Sequence, residues 1–217
     1  MALFNHGDFR VFAIPGFEDR MHALRERIQP RLASIGADLV GEITALLDQP
    51  VYCHVARHAR RKVHPPDDTW VAFGPDKRGY KKDVHFKLSL SRNSVRLLFE
   101  VGPEYYDKSE WVRSWQREFG ALSPLLRGGR QLGWFRDEHD DEPRCLLRRL
   151  DLEELRSLGK EPLRSQEGQL VIGRRLDEDR MIAITEAGFR KVARDTFRRL
   201  APLFSLHQQR VLNSKAR

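Results

Sequence analysis

The stretch Val84-His85-Phe86-Lys87-Leu88-Ser89-Leu90-Ser91-Arg92-Asn93-Ser94-Val95-Arg96-Leu97-Leu98-Phe99-Glu100-Val101 decides the fold class of this chain. Two alternating runs flank Arg92-Asn93, and a two-residue turn there folds them into an antiparallel hairpin. That register pairs Leu90 with Val95, Leu88 with Leu97 and Phe86 with Phe99 on one face, apolar against apolar throughout. The opposite face pairs Ser89 with Arg96, Lys87 with Leu98 and His85 with Glu100. A hairpin with one oily and one polar side belongs to an antiparallel or mixed β-sheet with helices packed mainly on one face, an α+β fold.

Working outward, Phe17, Met21, Leu24 and Ile28 recur at helical spacing. Pro30 should end or kink that helix, after which Ile35, Leu39, Ile43 and Leu46 resume the period until Asp48-Gln49-Pro50. Thr69-Trp70-Val71-Ala72-Phe73 reads as a strand between the turn Pro65-Pro66-Asp67-Asp68 and Gly74-Pro75-Asp76. Beyond the hairpin, Asp107 or Ser109 caps a helix carrying the stripe Trp111, Trp115 and Phe119, which ends before Pro124 or at Gly128-Gly129. Strands are expected over 131–135, 144–150 and 169–176, and a short helix over 151–158. Thr185-Glu186 opens a long helix with Phe189, Ala193, Phe197, Leu200 and Phe204 inward and a basic outer side. Residues 1–217 are expected to form one domain, with 211–217 a frayed tail.

The chain is 40% hydrophobic and 32% charged, which fits a folded protein with a heavily charged surface and excludes a disordered one. It has no apolar run of the roughly 20 residues that span a bilayer, and no secretory signal, so a cytoplasmic protein without a membrane partner is expected. Cys53 and Cys145 lie far apart with no Cys/His ligand spacing, so they read as two buried free thiols, and no metal site is expected. The acidic run over 137–142 reads as a solvated loop with His139 exposed on it. Lys plus Arg number 39 against 31 for Asp plus Glu, a net charge of +8 that favours anionic partners. Arginine greatly outnumbers lysine, a pattern that base composition alone can produce, so the excess by itself is a weak pointer.

The chemically dense segment runs from His54 to Lys87. It holds His54, Arg57, His58, Arg60, Arg61, Lys62 and His64 on one side of the Trp70 strand, and Lys77, Arg78, Tyr80, Lys81 and Lys82 on the other. Arginine forks match phosphate and carboxylate oxygens, Gly79 lets backbone amides approach an anion, and Trp70 and Tyr80 offer stacking surfaces. The plainer reading is a basic hairpin turn beside a solvated edge.

The string Ala59-Arg60-Arg61-Lys62-Val63-His64-Pro65-Pro66-Asp67-Asp68-Thr69-Trp70-Val71-Ala72-Phe73, followed by Lys77-Arg78-Gly79-Tyr80-Lys81 and His85-Phe86, resembles the YktB-like family of uncharacterised bacterial proteins. So do Arg25-Glu26-Arg27-Ile28-Gln29-Pro30 and Asp8-Phe9-Arg10-Val11-Phe12. The resemblance is carried by residues 8–101 and is weak afterwards. It implies an α+β fold, loosely similar to the class II synthetase and biotin ligase architecture, in a cytoplasmic bacterial protein. It implies no catalytic residues, so function has to be argued from the site.

Three functions compete. The first is binding of a phosphate-bearing ligand, nucleic acid or nucleotide, through Arg57, Arg60, Arg61, Lys77, Arg78 and Lys81 with Trp70 and Tyr80 stacking. The second is an enzyme in which His85, oriented by Glu100, does acid–base chemistry on an anionic substrate with His58 or His64 as a second proton carrier. The third is a non-catalytic protein-interaction module. No Walker loop, GxSxG or HExxH motif names a reaction, and nothing in the sequence identifies a cofactor.

Overall fold

In the computed structural model, which describes residues 3–206, the predicted hairpin forms the centre of a seven-stranded antiparallel sheet. The strands are β1 (Tyr52–Val55), β2 (Asp68–Gly74), β3 (His85–Ser91), β4 (Ser94–Val101), β5 (Leu132–Phe135), β6 (Cys145–Leu146) and β7 (Leu170–Asp177), in the order β1-β2-β3-β4-β7-β5-β6. Every pairing read from the alternation is present, from Leu90 opposite Val95 to His85 opposite Glu100. β7 returns from late in the chain to lie along β4, pairing Phe99 with Ile172 and Glu100 with Val171.

Helices cover the oily face. These are α1 (His6–Arg10), α2 (Phe17–Ala23), α3 (Gln29–Leu47), α4 (Lys108–Gly128), α5 (Leu152–Leu158), α6 (Glu178–Ala183) and α7 (Glu186–Ser205). α7 drives Phe197 between Phe73 and Phe86, with ring centroids 6.1 and 4.8 Å away. The Trp111 stripe of α4 faces the same core, and its indole N–H donates to the Leu203 carbonyl at 3.0 Å, so burial leaves no polar atom orphaned there. α5 is closed by a reciprocal box in which Asp151 caps the Glu154 amide and Glu154 returns the bond.

Pro30 does not end its helix, because helical residues continue unbroken through it. Residues Leu24–Ile28 wind as a π turn, in which the Gln29 amide reaches back five residues to the Leu24 carbonyl, and α3 continues from there. A proline cannot donate to the carbonyl four residues before it, and the wider turn takes up that mismatch. Pro124 likewise lies inside α4 rather than ending it. The strand expected over 144–150 shrinks to the two residues of β6 before a 3-10 turn, Leu147–Arg149. Cys53 is exposed and Cys145 half-buried, correcting the expectation of two buried thiols: both stand on the short edge strands β1 and β6. The tail expected at 211–217 lies outside the described residues. Among the described residues no helix is long and apolar enough to cross a membrane.

Candidate functional site

The polar face of the hairpin is the unexpected part of the molecule. Alternation along β2, β3 and β4 puts Asp68, Trp70, His85, Lys87, Ser89, Arg96 and Glu100 on one side. That side is buried: Lys87 and Arg96 are 0% exposed, and His85 and Glu100 2%. The cover is the acidic run, so 137–142 is not a solvated loop. Arg96 donates to the backbone carbonyls of Glu138 and Asp140, Glu138 pairs with Lys87, and Asp141 accepts from Ser91 and Ser94. His139 is exposed on this loop as expected, yet its Nδ1 lies 2.9 Å from the Asp68 carboxylate.

Buried charges survive only when paired and hydrogen-bonded. Asp68 accepts from Arg96 at 2.8 Å and from Ser89 at 3.1 Å. Burial alone would raise the Asp68 carboxyl, but the His139 bond and the Arg96 charge bring it down to about 2. Lys87 Nζ lies 3.2 Å from Glu100 Oε1 and 4.3 Å from the centre of the Trp70 ring. The Glu100 contact is an ion pair by distance, since Oε1 accepts no aligned hydrogen bond. Burial works against the Lys87 ammonium, yet Glu100 and Glu138 hold its pKa well above the ordinary lysine range.

The residues singled out from the sequence divide into separate places. His85 Nε2 sits 3.0 Å from Glu100 Oε2, while its Nδ1 lies 3.0 Å from the Asp83 carbonyl. This pair lines a cavity of about 230 Å³ with Tyr80, Lys81, Glu104, Glu138 and Glu167. Four glutamates and Lys81 line it, and Lys87 behind Glu100 and Glu138 offsets part of that charge, which leaves the lining net negative, opposite in sign to the anion-binding surface expected around His85. Lys81 is turned towards Glu104, 3.4 Å away, rather than standing free for phosphate.

His58 is not beside His85. It packs edge-on to Trp70 at 5.3 Å, Trp70 donates to the Tyr80 hydroxyl at 2.8 Å, and Tyr80 packs on His85 at 4.7 Å, so the two histidines stand at opposite ends of an aromatic row. Trp70 is 9% exposed with Lys87 over its ring, which removes it as a stacking platform for a base. Burial, partly opposed by Asp68 and reinforced by Arg61, pushes the His58 imidazole down to about 4. Burial also pushes Tyr80 up to about 12. Arg60 and Arg61 lie on the exposed turn after His58, where the Arg61 amide donates to the His58 carbonyl.

The remaining basic residues do converge. Arg57, Lys77 and Arg78 line a groove of about 830 Å³ between the β1 edge and the start of α3, joined by Arg25 from the π turn. Gln29 fixes one wall by donating to the Ala56 carbonyl at 2.9 Å, and His54 Nε2 fixes the other by contacting the Asp76 carbonyl at 3.0 Å. Asp76 accepts from the Arg78 amide and lies 3.8 Å from the Arg78 Nε, while no carboxylate is among the residues lining the groove. Arg25 was visible in the sequence only as part of a motif. It stands on the π turn just ahead of Pro30, where a plain α-helix was expected to end or kink. Among the described residues no three His, Cys, Asp or Glu side chains group as a metal ion would need.

An antiparallel α+β sheet with a closed charged face and a basic groove at its β1 edge defines the class of this protein. Residues 4–204 match the family model described as "Domain of unknown function (DUF1054)", and the chain belongs to that family. It is 32% identical over 202 residues to a "UPF0637 protein" of Staphylococcus carnosus, covering 93% of this chain and 98% of the relative. A "UPF0637 protein" of Bacillus thuringiensis is 30% identical over 206 residues, 95% and 98% of the two chains. One from Staphylococcus haemolyticus reaches 42% over 122 residues, 56% of this chain and 60% of its own. The similarity therefore runs well past Val101, through the acidic cover and β7, where the motifs alone had run out.

Proposed function

We propose that this chain binds a phosphate-bearing small molecule of nucleotide size in the groove between β1 and α3. The reading rests on one observation: Arg25, Arg57, Lys77 and Arg78 come from three separate segments to line about 830 Å³, with no carboxylate in the lining and Asp76, 3.8 Å from Arg78, the nearby counter-charge. Cavities of that order take nucleotide-sized ligands, and guanidinium forks pair with phosphate oxygens bidentately. The test is calorimetric titration with ATP, and with a single-stranded oligonucleotide, at about 50 and 200 mM salt, the range over which phosphate contacts weaken steeply. ATP should bind at low salt, and Lys77→Ala/Arg78→Ala should weaken it by about tenfold or more. No binding of either probe at low salt rejects the proposal. Tighter binding of the oligonucleotide, with a steep salt slope, replaces it with a nucleic-acid groove.

The His85–Glu100 pair supports a second reading, acid–base chemistry on a substrate carrying positive charge, because the pair lines a cavity walled by glutamates. A turnover found with an amine substrate should be lost in His85→Gln and kept in Lys77→Ala/Arg78→Ala. The opposite pattern removes this reading.

A further inference from the structure

A second groove, of about 620 Å³, lies where the C-terminal end of α4 meets α7 and the strands β5 and β7. Its chemistry differs from that of the first. Leu125, Leu132 and Pro202 supply apolar surface, and Leu125 is 41% exposed, a large side chain left in water on a helix end. Around them stand Arg130, Arg174, Arg198 and Arg199. The sole carboxylate lining the groove is Asp195, 3.5 Å from Arg198. Arg199 is held in place by donating to the Leu125 carbonyl at 3.0 Å. Gly129 makes room for it, since a Cβ there would sit 2.8 Å from Arg199 Cδ and 2.6 Å from Leu132 Cδ1.

Arg174 is the informative member. It stands in the middle of the sheet, opposite Leu97 on β4 and Leu132 on β5, on the oily face where its neighbours Ile172 and Leu176 enter the core. Its Nε is buried and has no hydrogen-bond partner among the described residues. A buried donor left unpaired is costly, and Arg174 is half-buried overall, lining the groove from the sheet. An oxyanion in the groove would meet the arginine heads that line it and offset the charge that Asp195 leaves over, while an apolar body would cover Leu125 and Pro202.

We propose that the groove between α4, α7 and β7 binds an amphiphilic anion, a phosphate ester or carboxylate attached to a short apolar chain. This site is separate from the basic groove at β1 and shares no residue with it. The probe is octyl phosphate, titrated into the full chain by calorimetry below its micelle-forming concentration, with octanoate, inorganic phosphate and 1-octanol as separate arms. Octyl phosphate should bind about tenfold or more tightly than inorganic phosphate, and 1-octanol should not bind. Octanoate weaker than octyl phosphate identifies the phosphate ester as the preferred head, and the reverse identifies the carboxylate. Arg130→Ala/Arg198→Ala, both at exposed positions, should weaken octyl phosphate by about tenfold or more. Arg174→Gln should do the same, while the surface control Arg92→Ala should not. The proposal is overturned if inorganic phosphate binds as tightly as octyl phosphate, if neither amphiphile binds, or if the arginine variants bind as the parent does. Loss of octyl phosphate binding in Lys77→Ala/Arg78→Ala instead would overturn it by assigning the probe to the other groove.

Discussion

Replacing Lys87 with methionine keeps the length of the side chain and its packing on Trp70 but deletes the one ammonium shared by Glu100 and Glu138. Glu100 is then left buried with His85 its remaining partner, while Glu138 keeps partial access to water. Removing one member of a buried pair costs about 3–5 kcal/mol, chiefly because the other is left uncompensated. For a domain of this size that corresponds to a fall in Tm of roughly 6–20 °C. Guanidinium denaturation should show a lower midpoint with an unchanged m-value. Adding Glu138→Gln should recover part of the loss, with a coupling energy of about 1–3 kcal/mol in the double-mutant cycle. The penalty should also shrink in acid, because Lys87 is what holds the Glu100 carboxyl low and without it Glu100 takes up a proton more readily. A loss under about 1 kcal/mol, or a cycle without coupling, would show that the polar face is wet and that Lys87 pairs only by proximity.

Three further outcomes follow from the same face. Asp68 is held down to about 2 from an ordinary 3.8, so its contribution is fully present above pH 3.8 and is lost as pH falls through 2; it is worth roughly 2 kcal/mol. Acid titration of stability should lose that component in Asp68→Asn, and an unchanged acid profile would contradict it. His58 is depressed to about 4 and His139 is raised by its bond to Asp68, so their signs oppose. The His58 contribution holds above pH 6.5 and fades between 6.5 and 4, whereas that of His139 holds below 6.5 and fades as pH rises through its raised value. Ring resonances followed by NMR should titrate in that order, and coincident titrations would refute the assigned environments. Gly173→Ala places a Cβ 2.2 Å from the Leu97 carbonyl oxygen and 2.7 Å from Leu98 Cδ2, so it should destabilise by about 1–3 kcal/mol or more in the same denaturation assay, with near-neutrality as the contrary result.

The hairpin was legible because strand periodicity is local: residues two apart share a face, and Arg92-Asn93 sets the register. The same alternation says which side chains share a face but not what lies over it. Lys87, Arg96 and Glu100 therefore looked like a solvent-facing polar side, and the residues that bury them, 137–142, come from a loop some forty residues later. His85 opposite Glu100 could be read from the turn, yet the glutamates that give the adjoining cavity its sign come from Glu104, Glu138 and Glu167, which no spacing connects. The basic groove was half legible. Arg57, Lys77 and Arg78 flank one strand and could be grouped, while Arg60, Arg61 and Lys81 were grouped with them by sequence proximity alone and fold elsewhere. Trp70 illustrates the general limit: an indole between basic clusters reads as a platform until the lysine over it is seen.

The position of β7 also bears on how the molecule comes into being. β4 has one neighbour within easy reach, β3, and its other edge is closed by residues 170–177, some seventy positions downstream. Until that segment has been synthesised, the edge of β4 that faces away from β3 stays open. Pairings of such long sequence separation form slowly, and an unpaired central strand is a template for association with other chains. A nascent chain halted before residue 177 is thus the form of this protein most in need of a chaperone, and the last strand to arrive is the one that ends that exposure.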